Sequence, residues 1–173
     1  PNADTVELLK SYRSTYEITT FAQQLKDNSS VVPIERHGEL PRMVACVDEK
    51  EEMKRIRSII REFLHFGSRS MGIVCKTKAQ ADEVYHGLRD AFDNLYLLDF
   101  DSEEFHEGII VTSAHLAKGL EFDEVIVPFV NSEVYRNEMD RSLLYIACTR
   151  AMHKLTLTHS GARTPLLKEP GEH

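Results

Sequence analysis

The chain has 173 residues, of which 42% are hydrophobic and 28% are charged, and it carries a formal net charge of −7. One globular domain is expected, because domains usually span about 100–200 residues. The negative net charge excludes indiscriminate binding of nucleic acid through a broad basic face, but it leaves room for a local basic site.

The three cysteines, Cys46, Cys75 and Cys148, are widely spaced and form no CxxC motif. This spacing favours neither a disulfide framework nor a zinc site, and it is typical of a reducing compartment. No apolar run approaches the length of about 18 residues that a membrane helix needs, and the N-terminal segment lacks the features of a signal peptide. These features predict a cytoplasmic protein that does not enter a membrane. Because the sequence starts at Pro1 without a methionine, we also expect it to be a piece of a longer chain.

Four helices are predicted in chain order. A capping box at 14–17 predicts a first helix directly after Arg13, and Asp48 with Glu51 predicts the start of a second. Another capping box, at 77–80, predicts the start of the third helix. The last helix is expected over 139–152, where apolar residues recur at helical spacing.

Short apolar runs between these helices predict the strands or, for the first two, extended loops. The runs are 31–34, 43–47, 71–75, 95–98, 109–111, 125–130 and 154–158. Several of them do not alternate, as in strands buried on both faces, and strands separated by helices favour an α/β domain with a mostly parallel sheet. We expect one domain over 1–160 and a loosely held tail over 161–173.

In such a sheet, ligands bind at the carboxyl ends of the strands. This rule directs attention to Tyr12 and Arg13 before the first helix, to the loop after Val111 and to the helix with Arg150. Arg13 adjoins a helix N-terminus that favours a phosphate, and Tyr12 offers a flat face to a base. Because such pairs are common, a surface arginine beside a packed tyrosine is the simpler alternative for the pair taken alone.

Two further positions have the chemistry of a ligand site. Arg150 stands in an apolar segment, where its charge requires an anion, either a structural carboxylate or a phosphate. Glu121 follows Gly119, whose backbone freedom permits a close approach, and its carboxylate suits the hydroxyls of a sugar. A turn with a solvated acid is the alternative.

Three segments, LLKSYRSTYEI, VTSAHLAKGLEFDEVIV and LLYIACTRAMHKL, occur in this order along the chain. They resemble motifs IV, V and VI of the UvrD/Rep-like superfamily 1 helicases. With MGIVCKTKAQADEVYHGL they cover most of the chain from Leu8 to Leu157. The resemblance implies the second RecA-like domain of an ATP-driven DNA helicase or translocase, with a three-layer αβα fold.

The resemblance also implies a nucleotide site. Its catalytic residues are Arg13 and Arg150, which contact the γ-phosphate of ATP as arginine fingers. Tyr12 stacks on the adenine, Glu121 bonds the ribose, and Gly119 lets the backbone pass close to the nucleotide.

Single-stranded DNA is the second ligand that the resemblance implies. Ser113 and His115 are expected to contact its phosphates, while Lys118 helps to hold the loop. The sequence has no G-x-x-x-x-G-K-[ST] loop, so ATP and its Mg²⁺ require an N-terminal RecA-like domain of the same chain. The 173 residues alone are therefore expected to be inactive, and the protein is expected to be a monomer.

The sequence departs from the family pattern at single positions and in length. Ser11, Ser113 and Lys76 stand where asparagine, threonine and arginine are commoner. The segment 93–108 is too short for the accessory 2B domain that processive helicases insert there. This layout resembles the HelD-like branch, which is associated with bacterial RNA polymerase.

The remaining patterns carry little chemistry. The eight histidines include no HExxH motif and no i, i+4 pair, so no metal site is predicted. The acidic run 99–104 is typical of a solvated loop, and 95–99 looks like a Walker B strand only superficially. Two other functions stay open: a non-catalytic adaptor that docks on RNA polymerase, and a stand-alone nucleotide-binding module.

Overall fold

The structure is a computed structural model that describes residues 14–26, 35–99 and 108–171. Four helices and six strands lie within these ranges. They are α1 (Tyr16–Gln23), β1 (Arg42–Cys46), α2 (Glu49–Phe66), β2 (Ser70–Cys75), α3 (Lys78–Leu88), β3 (Leu95–Leu97), β4 (Gly108–Ser113), β5 (Phe122–Val127), α4 (Glu138–Cys148) and β6 (Ala151–Ser160).

The strands form one sheet in the order β1-β6-β5-β2-β4-β3, and every pair of neighbours is parallel. Helices α1 and α4 pack on one face, around a core that includes Ile18 and Leu144. Helices α2 and α3 cover the other face, around Ile60 and Val84. The predicted α/β class and the three-layer RecA-like arrangement are confirmed.

Side chains at the helix starts explain why the helices begin where they do. Asp48 caps α2 by accepting the N–H of Glu51 at 2.8 Å, as predicted. The predicted capping box of α3 is also present. In α1 the cap is Thr15, which accepts the N–H of Ile18 at 3.4 Å, so this helix begins later than predicted.

The end of the chain differs most from the sequence prediction. Helix α4 stops at Cys148 because Ala151 already pairs with Phe122 at the start of β5. Beyond β6, Thr164 is 1% exposed and Leu167 is 3% exposed, so this part packs on the domain instead of forming a loose tail. The domain boundary near residue 160 stays a prediction.

Strand β3 also differs from the expectation of a strand buried on both faces. In the described part of the chain it is an outer strand that pairs only with β4, and its central Tyr96 is 37% exposed. The predicted run 31–34 lies outside the described residues. No helix within the described ranges is long and apolar enough to cross a membrane.

Candidate functional site

All strands are parallel, so the sheet has one edge where they begin and one where they end. We call these the amino edge and the carboxyl edge. Residues 114–121, here the motif V loop, leave Ser113 at the carboxyl edge and reach Phe122 at the amino edge. The six residues of β4 separate the two edges by about 17 Å, at about 3.3 Å per residue.

Parts of all three helicase-like segments meet at the amino edge of β5 and β6. The hydroxyl of Ser14 donates to the carbonyl of Ala151 at 2.6 Å. The backbone N–H of the residue after Ser14 donates to the carbonyl of Met152 at 3.1 Å. The N–H of Phe122 donates to the carbonyl of Arg150 at 2.9 Å. Two backbone hydrogen bonds and one bond from a serine hydroxyl therefore fix how the three segments meet.

Arg150 lies in the turn between α4 and β6, and not inside a helix as predicted. Its guanidinium is half-buried and donates from Nε to the carbonyl of Ile146 at 3.1 Å. Nη1 donates to the carbonyl of Leu120 at 3.3 Å, and Nη2 to the hydroxyl of Thr149 at 3.3 Å. These three bonds hold the plane of the guanidinium against the end of the motif V loop.

The end of the motif V loop brings Glu121 to the same edge as Arg150. Glu121 directly follows Leu120 and is half-buried. Gly119 has a φ of +85°, which disfavours any side chain, although no atom would touch one. The buried ring of Phe122 lies against Gly72, where an added Cβ would fall 2.5 Å from the ring. The absence of a side chain at Gly72 therefore leaves space for the Phe122 ring. The end of the motif V loop, which directly precedes Phe122, depends on this space.

The carboxyl edge contains the other end of the motif V loop. Ser113 pairs with Cys75, the last residue of β2, and the N–H of Ala114 donates to the Cys75 carbonyl at 2.8 Å. The Ser113 hydroxyl accepts the N–H of Leu116 at 3.4 Å, and Ser113 is 5% exposed. His115 at this edge is exposed, and so is Lys118 later in the loop. The side chain of His115 is therefore accessible to an extended ligand.

The structure therefore separates the predicted site residues into two groups. Glu121 and Arg150 come together at the amino edge, whereas Ser113 and His115 lie at the carboxyl edge. The expectation that all of them lie at the carboxyl ends of strands is wrong. Glu121 and Arg150 each stand just before a strand, so a parallel sheet places them at its amino edge.

Tyr12 and Arg13 lie outside the described residues. Ser14, which follows them directly in the chain, is the residue whose hydroxyl binds Ala151. The acidic run 99–104 falls outside the described residues except for Asp99.

An ion pair that the sequence prediction missed lies at the carboxyl edge. The Lys76 Nζ is 2.7 Å from Asp140 Oδ1 and donates to the carbonyl of Val134 at 2.6 Å. Asp140 Oδ2 accepts the N–H groups of Arg136 at 2.7 Å and Asn137 at 3.2 Å. Burial alone would raise the pKa of Asp140, but the bonds from Lys76 and the backbone lower it below its ordinary value. The spacing of Asn137 and Asp140 is a capping-box signal that was available in the sequence.

Asp123 had no predicted role, and its contacts now supply one. Its Oδ2 accepts the N–H of Arg69 at 2.8 Å, and its own N–H donates to the Ser70 hydroxyl at 3.0 Å. The residue thus joins the starts of β2 and β5. No sequence signal identifies this role, because the partners are distant in the chain.

The buried thiols do not form a reactive site. Burial raises the pKa of Cys148 to about 12 and also raises that of Cys75. Among residues 14–26, 35–99 and 108–171, no group of three histidine, cysteine or acidic side chains is placed to hold a metal ion.

Comparison with known proteins identifies relatives of this chain. Residues 108–158 match the model of the UvrD-like helicase C-terminal domain. The DNA helicase II proteins of Escherichia coli (strain K12) and Salmonella typhimurium (strain LT2) are each 31% identical over 78 residues. These matches cover 39% of this chain and 11% of each relative, so the chain spans a small part of their length.

A solved structure resembles nearly the whole chain. It is the C-terminal domain of a possible DNA helicase from Lactobacillus plantarum WCFS1, which is 33% identical, with a TM-score of 0.80. The match covers 94% of this chain and 95% of that domain. On this likeness, together with the family match over motifs V and VI, the chain belongs to the family of UvrD-like helicase C-terminal domains.

Proposed function

We propose that the chain is the second motor domain of an ATP-dependent DNA helicase or translocase. The observation that carries the proposal is the division of its motif residues between the two edges of one sheet. Arg150 is held at the amino edge by the segment that also contains Glu121, while exposed His115 lies at the carboxyl edge. Such a domain binds a nucleotide on one side and a nucleic-acid strand on the other.

The amino edge is the proposed nucleotide side. Arg150 and Arg13 supply positive charge to the γ-phosphate, Tyr12 stacks on the adenine, and Glu121 binds the ribose beside Gly119. Phosphoryl transfer depends mainly on positioning and charge stabilisation, and an arginine finger contributes about 10³–10⁵ in rate. The hydrogen bonds from Arg150 to Leu120 and Ile146 support this role, because they orient the guanidinium before a nucleotide arrives.

The nucleotide itself requires a second domain. The chain has no phosphate-cradling loop, so ATP and Mg²⁺ are held by an N-terminal RecA-like domain of the same protein. Arg13 and Arg150 then reach the γ-phosphate only when the two domains close. Hydrolysis therefore depends on domain closure, and reopening follows release of the products.

The carboxyl edge is the proposed nucleic-acid side. Ser113 and His115 contact the phosphates of single-stranded DNA. Lys118 helps to hold the part of the motif V loop that connects these residues to the nucleotide side. Because both ligands contact the same motif V loop, closing and opening move the strand contacts in step with the nucleotide cycle.

One observation favours a HelD-like factor that binds and recycles RNA polymerase. The segment 98–107 between β3 and β4 is too short for an inserted accessory domain. In this alternative, the protein unwinds little duplex. Stimulation of ATP hydrolysis by RNA polymerase, and not by single-stranded DNA, would favour this alternative.

The substitution Arg150→Lys in the full-length protein tests the proposed function. Lysine keeps the charge but loses the planar fork, so we expect ATP turnover to fall by about 10³ or more. The matched control is Arg141→Lys, near the opposite end of α4, which should retain turnover. Steady-state ATP hydrolysis and thermal unfolding are measured on both variants. Wild-type turnover in the folded Arg150→Lys protein would remove Arg150 from the nucleotide site.

A further inference from the structure

Helix α4 reaches from one edge of the sheet to the other. It begins at Glu138 beside the carboxyl edge and ends at Cys148, close to Arg150 at the amino edge. Its eleven residues span about 16 Å, close to the separation of the two edges. A capping box fixes its start, and Leu144 and Ala147 on its inner face are buried. A short helix fixed in this way moves as one rigid body.

The Lys76–Asp140 pair ties the first turn of α4 to the end of β2. The two side chains are 22% and 7% exposed, so the pair is largely shielded from water. Lys76 directly follows Cys75, whose carbonyl accepts the N–H of Ala114 at the start of the motif V loop. The end of β2 is thereby bonded both to this loop and to α4.

The ammonium group of Lys76 is not placed as a phosphate ligand. It bonds Asp140 at 2.7 Å and the carbonyl of Val134 at 2.6 Å, and it lies 5.9 Å from the ring centre of buried Tyr135. A lysine engaged in this way sets the position of other groups. Its partner Asp140 also accepts two N–H groups at the start of α4, so the pair holds the helix and its preceding loop together.

We propose that Lys76 is a positioning residue that couples nucleic-acid binding at the carboxyl edge to the placement of Arg150. This inference rests on the proposed function. A strand bound at Ser113 and His115 shifts the start of the motif V loop and, with it, the end of β2. Through Asp140 the shift reaches α4, whose far end holds Arg150 by the bond to Ile146. Coupling of this kind is a free energy between two sites and is measurable as one.

The experiment measures ATP turnover of the full-length protein with and without oligothymidylate. In Lys76→Met we expect the stimulation by oligothymidylate to fall at least about fivefold, with basal turnover and oligonucleotide affinity close to wild type. Lys76→Arg should keep the stimulation, because arginine retains the ion pair with Asp140. Asp140→Asn breaks the same pair while its remaining oxygen still caps α4, so it should lose stimulation even if Lys76→Met fails to fold.

The outcomes separate this inference from the proposed function. Full stimulation in folded Lys76→Met or Asp140→Asn protein would overturn the role of Lys76. An equal loss of basal and stimulated turnover would also overturn it, because the pair would then be merely structural. A wild-type protein that neither hydrolyses ATP nor responds to the oligonucleotide would instead remove the proposed function, and this inference with it.

Discussion

The two edges of the sheet are held in different ways. At the amino edge, backbone groups of distant segments bond one another, as when Phe122 donates to Arg150. At the carboxyl edge, a charged pair, Lys76 and Asp140, joins a strand to a helix. Backbone bonds survive most substitutions, so the side chain of Arg150 can be replaced while Phe122 and Arg150 stay bonded through their backbones. Substitutions of the charged pair at the carboxyl edge change both stability and function.

The largest stability effect is expected at Gly72, which supports the amino edge from within the sheet. In Gly72→Ala the new Cβ would lie 2.5 Å from the buried ring of Phe122. We expect the free energy of unfolding to fall by about 3 kcal/mol, as in overpacked cores. The control is Gly87→Ala, where the nearest atom is the flexible end of Met53 at 3.1 Å and the change should stay within about 1 kcal/mol.

Urea unfolding of the 173-residue chain measures both variants. Equal stability of the two alanine variants would show that the amino edge tolerates displacement of Phe122. The close packing on Gly72 would then not support the site.

A smaller, pH-dependent effect is expected for Asp140→Asn at the carboxyl edge. The variant should be less stable than wild type by about 2 kcal/mol at neutral pH, because a charged hydrogen-bond acceptor is lost. The pKa of Asp140 in the folded state lies below its ordinary value of 3.8, so its stabilisation is fully present above that value. It disappears as the pH falls through the folded-state pKa.

Unfolding curves of wild type and Asp140→Asn, measured between about pH 7 and about pH 2, test this expectation. The control is Asp90→Asn at an exposed position, for which no comparable difference in the free energy of unfolding is expected. A gap between wild type and Asp140→Asn that persists unchanged in acid would contradict the assigned role of the charged pair.

The smallest effect is expected for His115→Ala. Loss of one exposed hydrogen-bonding side chain should weaken single-stranded DNA binding of the full-length protein by about 1 kcal/mol, or about fivefold. Stability should not change. His86→Ala, on the exposed surface of α3, is the control, and fluorescence anisotropy with oligothymidylate measures the affinity. An unchanged affinity for His115→Ala would place the nucleic acid elsewhere.

The sequence predicted those features that depend on neighbouring residues. Asp48 and Thr77 mark helix starts because each cap bonds an N–H three residues later. The end of α4 was missed because the apolar pattern continues past Cys148, whereas pairing of Ala151 with Phe122 begins β6. That pairing is between distant segments and leaves no local signal.

The site was predicted in composition but not in arrangement. Motif resemblance named Glu121 and Arg150, yet the bond from Arg150 to Leu120 joins residues that are 30 positions apart. For the same reason, the pairing of Lys76 with Asp140 could not be inferred from either residue alone. The division between two edges follows from the position of each residue relative to its strand, which only the sheet topology shows.

The most direct test of the two-edge account is amide hydrogen exchange of the full-length protein with a non-hydrolysable ATP analogue alone and with oligothymidylate alone. The account predicts that the analogue slows exchange around 120–122 and 149–152, and that the oligonucleotide slows it around 113–116. Protection of the same segments by both ligands, or the reverse assignment, would contradict the separation of nucleotide and nucleic-acid sites.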